Sequence, residues 1–358
     1  MRKHVRTVIG IALSVLLLGW ALRDVSPAAV AHEIRNVDPL LFIAAIVLTL
    51  CGFWFRAVRW GIFLLPTGRV PFRPRFASTL IGFAANNILP ARIGEFARAL
   101  SLTKLTEVRL GTSLATLVVE RLFDAIVVIG LLFAAMSVPS FPAGTIAGVD
   151  PRVAARVIAL LMFGVGLALG VLVVAPRRSI ALAERISNAI VPERARHPLL
   201  GALRSFIGGL AVLRSGRLFL VSLVLATAQW LFTALSFLVG FRAFDIQDVG
   251  LAGALFLQSL IALSVAIPSS PGFFGPFEAA AKLGLGLWEV DSDKAISFAV
   301  GFHLGGFIPT TLIGLYYVWR LNLSWSQVKH SEEMAEEAVG NLETVAASGD
   351  PDVGSEER

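Results

Sequence analysis

Three stretches of this chain carry charged or amide side chains among apolar neighbours, and each could hold an anion or a proton. "AANNILPARIGEFARAL", at 84–100, contains Asn86, Asn87, Pro90, Arg92, Gly94, Glu95 and Arg98. Pro90 removes a backbone donor and disfavours helix at Leu89, and Gly94 weakens the helix further. Where the helix restarts, Arg92, Glu95 and Arg98 fall three apart on one face. In hydrocarbon the freed backbone groups need partners, so such a break belongs where protein or a wet cavity surrounds it. Guanidinium groups there can grip a phosphate, and the amides add donors and acceptors. The plainer reading is a loop leading into the first turn of a helix.

The second stretch, "GTSLATLVVERLFDAIVVIGLLFAAM", places Glu120, Arg121 and Asp124 inside a long apolar run. A helix starting near Leu110 carries Glu120 roughly 15 Å along its axis, near mid-membrane. Each charge at that depth costs about 3 kcal/mol on insertion scales, so partners are required. Arg121 and Asp124 can pair at i,i+3, which leaves one acid needing a cation from elsewhere, and Arg92 or Arg98 is the natural supplier. A purely structural ion pair is the competing reading. The third stretch, "IPSSPGFFGPFEAAAKLG", has Gly272, Gly275 and Glu278 in a second proline–glycine–glutamate break. Arg56 and Arg59, in "FWFRAVRWGIF", either snorkel to headgroups or clasp a lipid phosphate. His303, in "AVGFHLGGFIPTTLIG", is a lone intramembrane histidine, suited more to helix packing than to a proton relay.

Other chemistries are excluded by what is missing. There is one cysteine, Cys51, so no intrachain disulfide or cysteine metal site, and the five histidines form no H-E-x-x-H pattern. No nucleotide loop or nucleophile elbow occurs, so no metal, cofactor or nucleic-acid partner is expected, and enzymatic activity is not expected either.

The elements that must position these groups are membrane helices. Of 358 residues, 56% are hydrophobic and 16% charged, which assigns most of the chain to lipid. Apolar spans fall at roughly 5–22, 40–65, 111–136, 153–174, 218–241, 249–267 and 295–320, with 76–105 and 268–288 interrupted. We therefore expect an all-α polytopic protein of about 7–8 transmembrane helices plus broken or re-entrant segments. The first span is read as a retained helix, because no small-residue cleavage site follows it. A crossing by 268–288 is favoured as the eighth. The two broken segments sit one in each half, which is the sequence sign of an inverted repeat with a site at the repeat interface.

Charge orients the spans. Eight arginines oppose two acids in 175–217, whereas 137–152 has only Arg152, so the basic loop and the N-terminus are placed in the cytoplasm. Within that loop, "SIALAERISNAI" and "LLGALRSFIGGLAVL" have the spacing of amphipathic surface helices, or of a solvated connector. Residues 325–358 carry nine acids and a net charge of −7, so the domain ends near 324 and an acidic, disordered tail follows.

"NNILPARIGEFARAL", "VVERLFDAIVV" and "PSSPGFFGPFEAA", in that order, resemble the lysylphosphatidylglycerol synthetase transmembrane family over about residues 5–325. The matching motifs are N-x-L-P-x-R-x-G-E, Asn87 to Glu95, and E-R-x-x-D, Glu120 to Asp124. Phe273 departs from the pattern, standing where family members often have a second glycine. The resemblance implies a flippase-like domain that, in two-domain synthetases, moves aminoacylated lipid across the membrane. No aminoacyl-transfer domain is expected after the last span, so lysyl transfer from tRNA is not expected. The function expected is translocation of an anionic or modified phospholipid, or of a polyprenyl-linked lipid, across a bacterial inner membrane. Arg92 and Arg98, with Arg56 or Arg59 as secondary candidates, would hold the headgroup, balanced by Glu95, Glu120 and Asp124. The rivals are a membrane-embedded lipid or glycolipid transferase and a non-transporting partner of a lipid-modifying enzyme or glycosyltransferase. Homo-oligomers are compatible with all three.

Overall fold

The structure is a computed structural model that describes residues 2–89, 93–146, 148–190, 196, 200, 215–266 and 270–323. Among these residues all regular elements are helical: α1 (Arg2–Leu22), α2 (Pro27–Arg35), α3 (Pro39–Phe63), α4 (Phe72–Ile88), α5 (Gly94–Leu105), α6 (Leu110–Met136), α7 (Pro151–Val174), α8 (Pro176–Ile190), α9 (Gly216–Ala243), α10 (Gly250–Ser264), α11 (Pro276–Gly286) and α12 (Ser292–Arg320). Their starts are written in the sequence. Asp38, Asp150 and Asp291 accept the first backbone N–H groups of α3, α7 and α12, and Ser26 and Ser215 do so for α2 and α9.

Helices α3, α9 and α12, of 25, 28 and 29 residues, are long and apolar enough to cross a bilayer. α6 matches them in length, with 27 residues, but carries the three charges. α1 and α2 meet at an 81° bend. The chain is an all-α, multi-pass membrane protein.

Both interrupted segments are helical hairpins. α4 and α5 run antiparallel and cross at two glycines: a Cβ on Gly82 would stand 2.7 Å from the Gly94 carbonyl oxygen, and one on Gly94 would collide with the Gly82 carbonyl. α10 and α11 fold back likewise, with Gly284 against Leu257 and the Ser264 hydroxyl donating to the Pro276 carbonyl at 2.9 Å. With 15 and 11 residues, α10 and α11 rise only about 23 and 17 Å, short of the ~30 Å hydrocarbon core. The crossing favoured for 268–288 is therefore replaced by a re-entrant return. Among the described residues there are thus six helices of 21 residues or more and two hairpins of shorter ones, and 249–267, expected as a span of its own, is an arm of the second hairpin.

The packing has internal symmetry. α3 and α9 form the largest helix contact and run antiparallel, with the Ser236 hydroxyl donating to the Ala45 carbonyl at 2.6 Å and the Asp38 N–H to the Ala243 carbonyl at 3.0 Å. Around them, α4 packs on α5 as α10 packs on α11, and α5 on α6 as α11 on α12. α4 packs on α12 as α10 packs on α6. Exchanging α3–α6 for α9–α12 reproduces the pattern, which is that of an inverted repeat. The segment 271–273, at the tip of the second hairpin, packs on α4, so each hairpin reaches into the other half. The tail lies outside the described residues, as does nearly all of "LLGALRSFIGGLAVL"; "SIALAERISNAI" is helical, in α8.

Candidate functional site

Six charged side chains from three helices meet inside the first repeat. From α5, Arg98 reaches Glu120 of α6 through two parallel bonds, 2.7 Å to Oε1 and 3.0 Å to Oε2. From α3, Arg56 donates to Glu120 Oε1 at 2.5 Å and to Asp124 Oδ2 at 2.9 Å. Arg59 donates to Asp124 Oδ1 at 2.6 Å. Arg121 closes the group, 3.3 Å from Glu120 and 3.8 Å from Asp124. Trp230 of α9 adds a 3.2 Å indole bond to Asp124, and the Arg98 guanidinium lies 4.1 Å over the Trp60 ring. The Trp60 indole is itself fixed by a 2.9 Å bond to Thr116.

The charges do not balance. Four guanidinium groups face two carboxylates, an excess of two positive charges, and all but Arg121 are buried. Arg59 has no exposed surface, yet its Nε and Nη1 have no partner, and neither does Nε of Arg98. Buried donors without acceptors are costly, and with an excess of positive charge beside them an anion or water can satisfy them. Arg121 is the one exposed member: its side chain is 43% exposed, on the face of α6 that also exposes Val118 and Ile126.

The second repeat holds a smaller polar site in the equivalent place. Glu278, on the first turn of α11, lies 2.7 Å from Nδ1 of His303 on α12 and accepts the Gly275 N–H at 2.6 Å. The imidazole stacks on Phe277, 4.3 Å between ring centres, with Phe274 at 4.6 Å. The turn before α11 is built from left-handed residues: Gly272 (φ 69°), Phe273 (φ 63°) and Gly275 (φ 98°). A β-carbon at Gly275 would strike the Ser14 backbone of α1. At Phe273 the left-handed backbone costs about 1 kcal/mol or more, which is the conformational reason a glycine suits that position.

The sequence profile of the lysylphosphatidylglycerol synthase TM region matches residues 7–314. The chain belongs to this family. It is also similar to the glycosyltransferase AglD of Haloferax volcanii, 26% identical over an alignment of 356 residues that covers 90% of this chain and 55% of that protein. The chain thus spans about half the length of the curated relative it matches. No solved structure matches it.

Set against this lysylphosphatidylglycerol synthase TM fold, the motif residues divide into a site and its supports. Arg98, Glu120, Arg121 and Asp124 come together, and Arg98 is the cation that Glu120 requires. Arg56 and Arg59 do not snorkel; they turn inward and complete the cluster. Asn86 is a clasp, its Oδ1 accepting the Gly94 N–H at 2.8 Å across the hairpin. Asn87 anchors the hairpin to α12 by a 2.8 Å bond to Thr311. Glu95 is half-buried, 3.5 Å from Asn86, and pairs with no cation among the described residues, so it does not balance the cluster. Pro90 and Arg92 lie outside the described residues. His303 does more than pack helices, because it faces Glu278. Trp60 belongs to the "FWFRAVRWGIF" patch already singled out with Arg56 and Arg59, whereas Trp230 was indicated by no motif.

Proposed function

We propose that this protein translocates anionic lipids across a bacterial inner membrane, and that the arginine cluster holds the headgroup phosphate on its way. One observation carries the reading: a buried site with two excess positive charges and unpaired guanidinium donors has one half-exposed member, Arg121. An exposed arginine within an apolar helix is tolerated where water or a phosphate meets it. Arg121 would take the headgroup first and pass it to Arg59 and Arg98, whose planar forks suit phosphate oxygens. Glu120 and Asp124 hold the arginines in place and keep the total charge low. Supporting this, the family's name refers to an enzyme of lysylphosphatidylglycerol, a lipid with a phosphodiester. The orientation proposed has the N-terminus and the 175–217 loop in the cytoplasm.

The similarity to a protein named as a glycosyltransferase favours a second reading, in which the domain serves a partner enzyme by presenting a lipid-linked sugar phosphate. Both readings use the same anion site.

The test is translocation of a fluorescent phosphatidylglycerol in proteoliposomes, scored by protection from a membrane-impermeant quencher. Arg121→Gln should slow it about tenfold, the loss expected for one charge-assisted bond. Translocation no faster than in protein-free vesicles would remove the reading.

A further inference from the structure

The Glu278–His303 pair has no part in holding a phosphate: it adds a carboxylate, and it lies in the other repeat. We infer that Glu278 and His303 form a proton-binding site whose occupancy is tied to the position of the second hairpin.

The geometry sets the chemistry. Glu278 spends one oxygen on the Gly275 N–H and the other on His303 Nδ1, so as a carboxylate it fixes the tautomer with hydrogen on Nδ1. Nε2 then presents its lone pair, and it has no hydrogen-bond partner among the described residues. A hydronium ion can give its proton to Nε2 and leave as water, converting imidazole to imidazolium. The pair passes from one net negative charge to neutral. A neutral pair suits a site 1% and 9% exposed, whereas the negative pair is driven toward water.

Surrounding groups do not cancel that charge. Lys282, one turn along α11, is engaged by the Ala21 carbonyl at 2.9 Å and by Asp24 at 3.9 Å, beside Arg23 of the α1–α2 link. Between Gly10 and Leu22, α1 has no ionisable side chain, and neither does α10. α3 has Cys51 as its one ionisable group before Arg56, and α4 has only Arg73 and Arg75, at its far end from the hairpin tip. On α2 these groups are His32, Glu33 and Arg35, and on α9 Arg217 and Arg242 near its ends. The remaining ones on α12 are Asp293 and Lys294 at its start and Tyr316, Tyr317 and Arg320 toward its end.

The link to motion is the turn. Glu278 ties the Gly275 backbone to α12, and that backbone belongs to a run of left-handed residues, the kind of strained backbone found at switch regions. Under the inverted repeat, this tie joins α11 to α12 as Arg98–Glu120 joins α5 to α6. One hairpin is pinned by permanent charges and the other by a pair that one proton neutralises. Proton exchange would thus reset the second hairpin while the first keeps its anion site, which rests on the translocation reading.

Two measurements on the full-length protein test this. In detergent, with histidine isotopically labelled, the His303 resonance, assigned by its loss in His303→Gln, should respond to a pH series, and Glu278→Gln should alter that response. A His303 resonance that ignores pH would overturn the site whatever the transport result. In proteoliposomes carrying fluorescent phosphatidylglycerol, an imposed pH gradient should change the wild-type rate several-fold. That ratio should fall to one in Glu278→Gln and in His303→Gln. Measurable translocation that is indifferent to the gradient would overturn the coupling and leave the translocation reading standing. Absence of any translocation would overturn that reading and the coupling with it, with the proton site still decided by the titration.

Discussion

The two hairpins are built alike and charged differently. In the first repeat, α5 offers α6 a cation, and the junction has grown into six charges that share hydrogen bonds. In the second, α11 offers α12 a carboxylate, and a single imidazole meets it. The first site keeps its charge across the physiological range, since arginine does not release its proton there. The second contains the side chain whose ordinary titration falls in that range. An inverted repeat thus conserves where a polar junction sits and leaves its chemistry free, so a fixed anion site and a proton site can occupy matching positions.

The comparison is most easily broken at its acids. Glu120→Gln removes the carboxylate shared by Arg56, Arg98 and Arg121 and leaves buried guanidinium groups uncompensated, a loss of about 3–5 kcal/mol. Thermal unfolding in detergent should show a large fall, whereas Glu278→Gln, which keeps a hydrogen-bond acceptor and removes one charge, should lower stability far less. Equal losses would mean that the first site is no more extensive than the second.

A double-mutant cycle sharpens the same point. Arg98→Ala and Glu120→Gln should be non-additive in unfolding free energy by about 1–3 kcal/mol, because each singly strands the other's charge. Additivity would deny that the first break and the α6 charges form one site.

Smaller effects probe the hairpin crossing. Gly94→Ala drives a methyl into the Gly82 backbone and should cost about 1–3 kcal/mol. Gly130→Ala, on α6 where nothing lies within 4 Å, should be neutral or stabilise by up to about 1 kcal/mol through helix preference. A tolerated Gly94→Ala would mean that the two hairpin arms are not in contact there.

Orientation carries no energetic cost to test. Ser187 on α8, inside the basic loop, is 2% exposed and unsuited to a reporter, so we choose its exposed neighbour Asn188. In a Cys51→Ser background, Asn188→Cys should resist impermeant thiol reagents in intact cells and react once the membrane is opened. Labelling in intact cells would invert the topology.

What the sequence made legible was what local patterning determines. Long apolar runs identify membrane helices, proline and glycine mark both breaks, and three charges in α6 demand partners wherever they lie. Arg98 followed because charge counting left Glu120 without a cation. Arg56 and Arg59 were ambiguous for the same reason in reverse: snorkelling and burial have identical local spacing, and only the packing of α3 on α6 decides between them. The clasp roles of Asn86 and Asn87 depend on antiparallel hairpin geometry, which an interrupted apolar run does not specify. Glu278 and His303 lie 25 residues apart on different helices, so their meeting was not readable from either motif.

The central claim is that the buried charge excess exists to hold an anionic lipid, and native mass spectrometry tests it most directly. Protein purified in mild detergent and exposed to equal amounts of phosphatidylglycerol and phosphatidylcholine should retain the anionic lipid preferentially. Arg59→Gln, which removes the arginine with the most unpaired donors, should reduce that retention about tenfold while the folded protein persists. Equal retention of the two lipids by the wild type, or retention of phosphatidylglycerol unaffected by Arg59→Gln, would contradict the account.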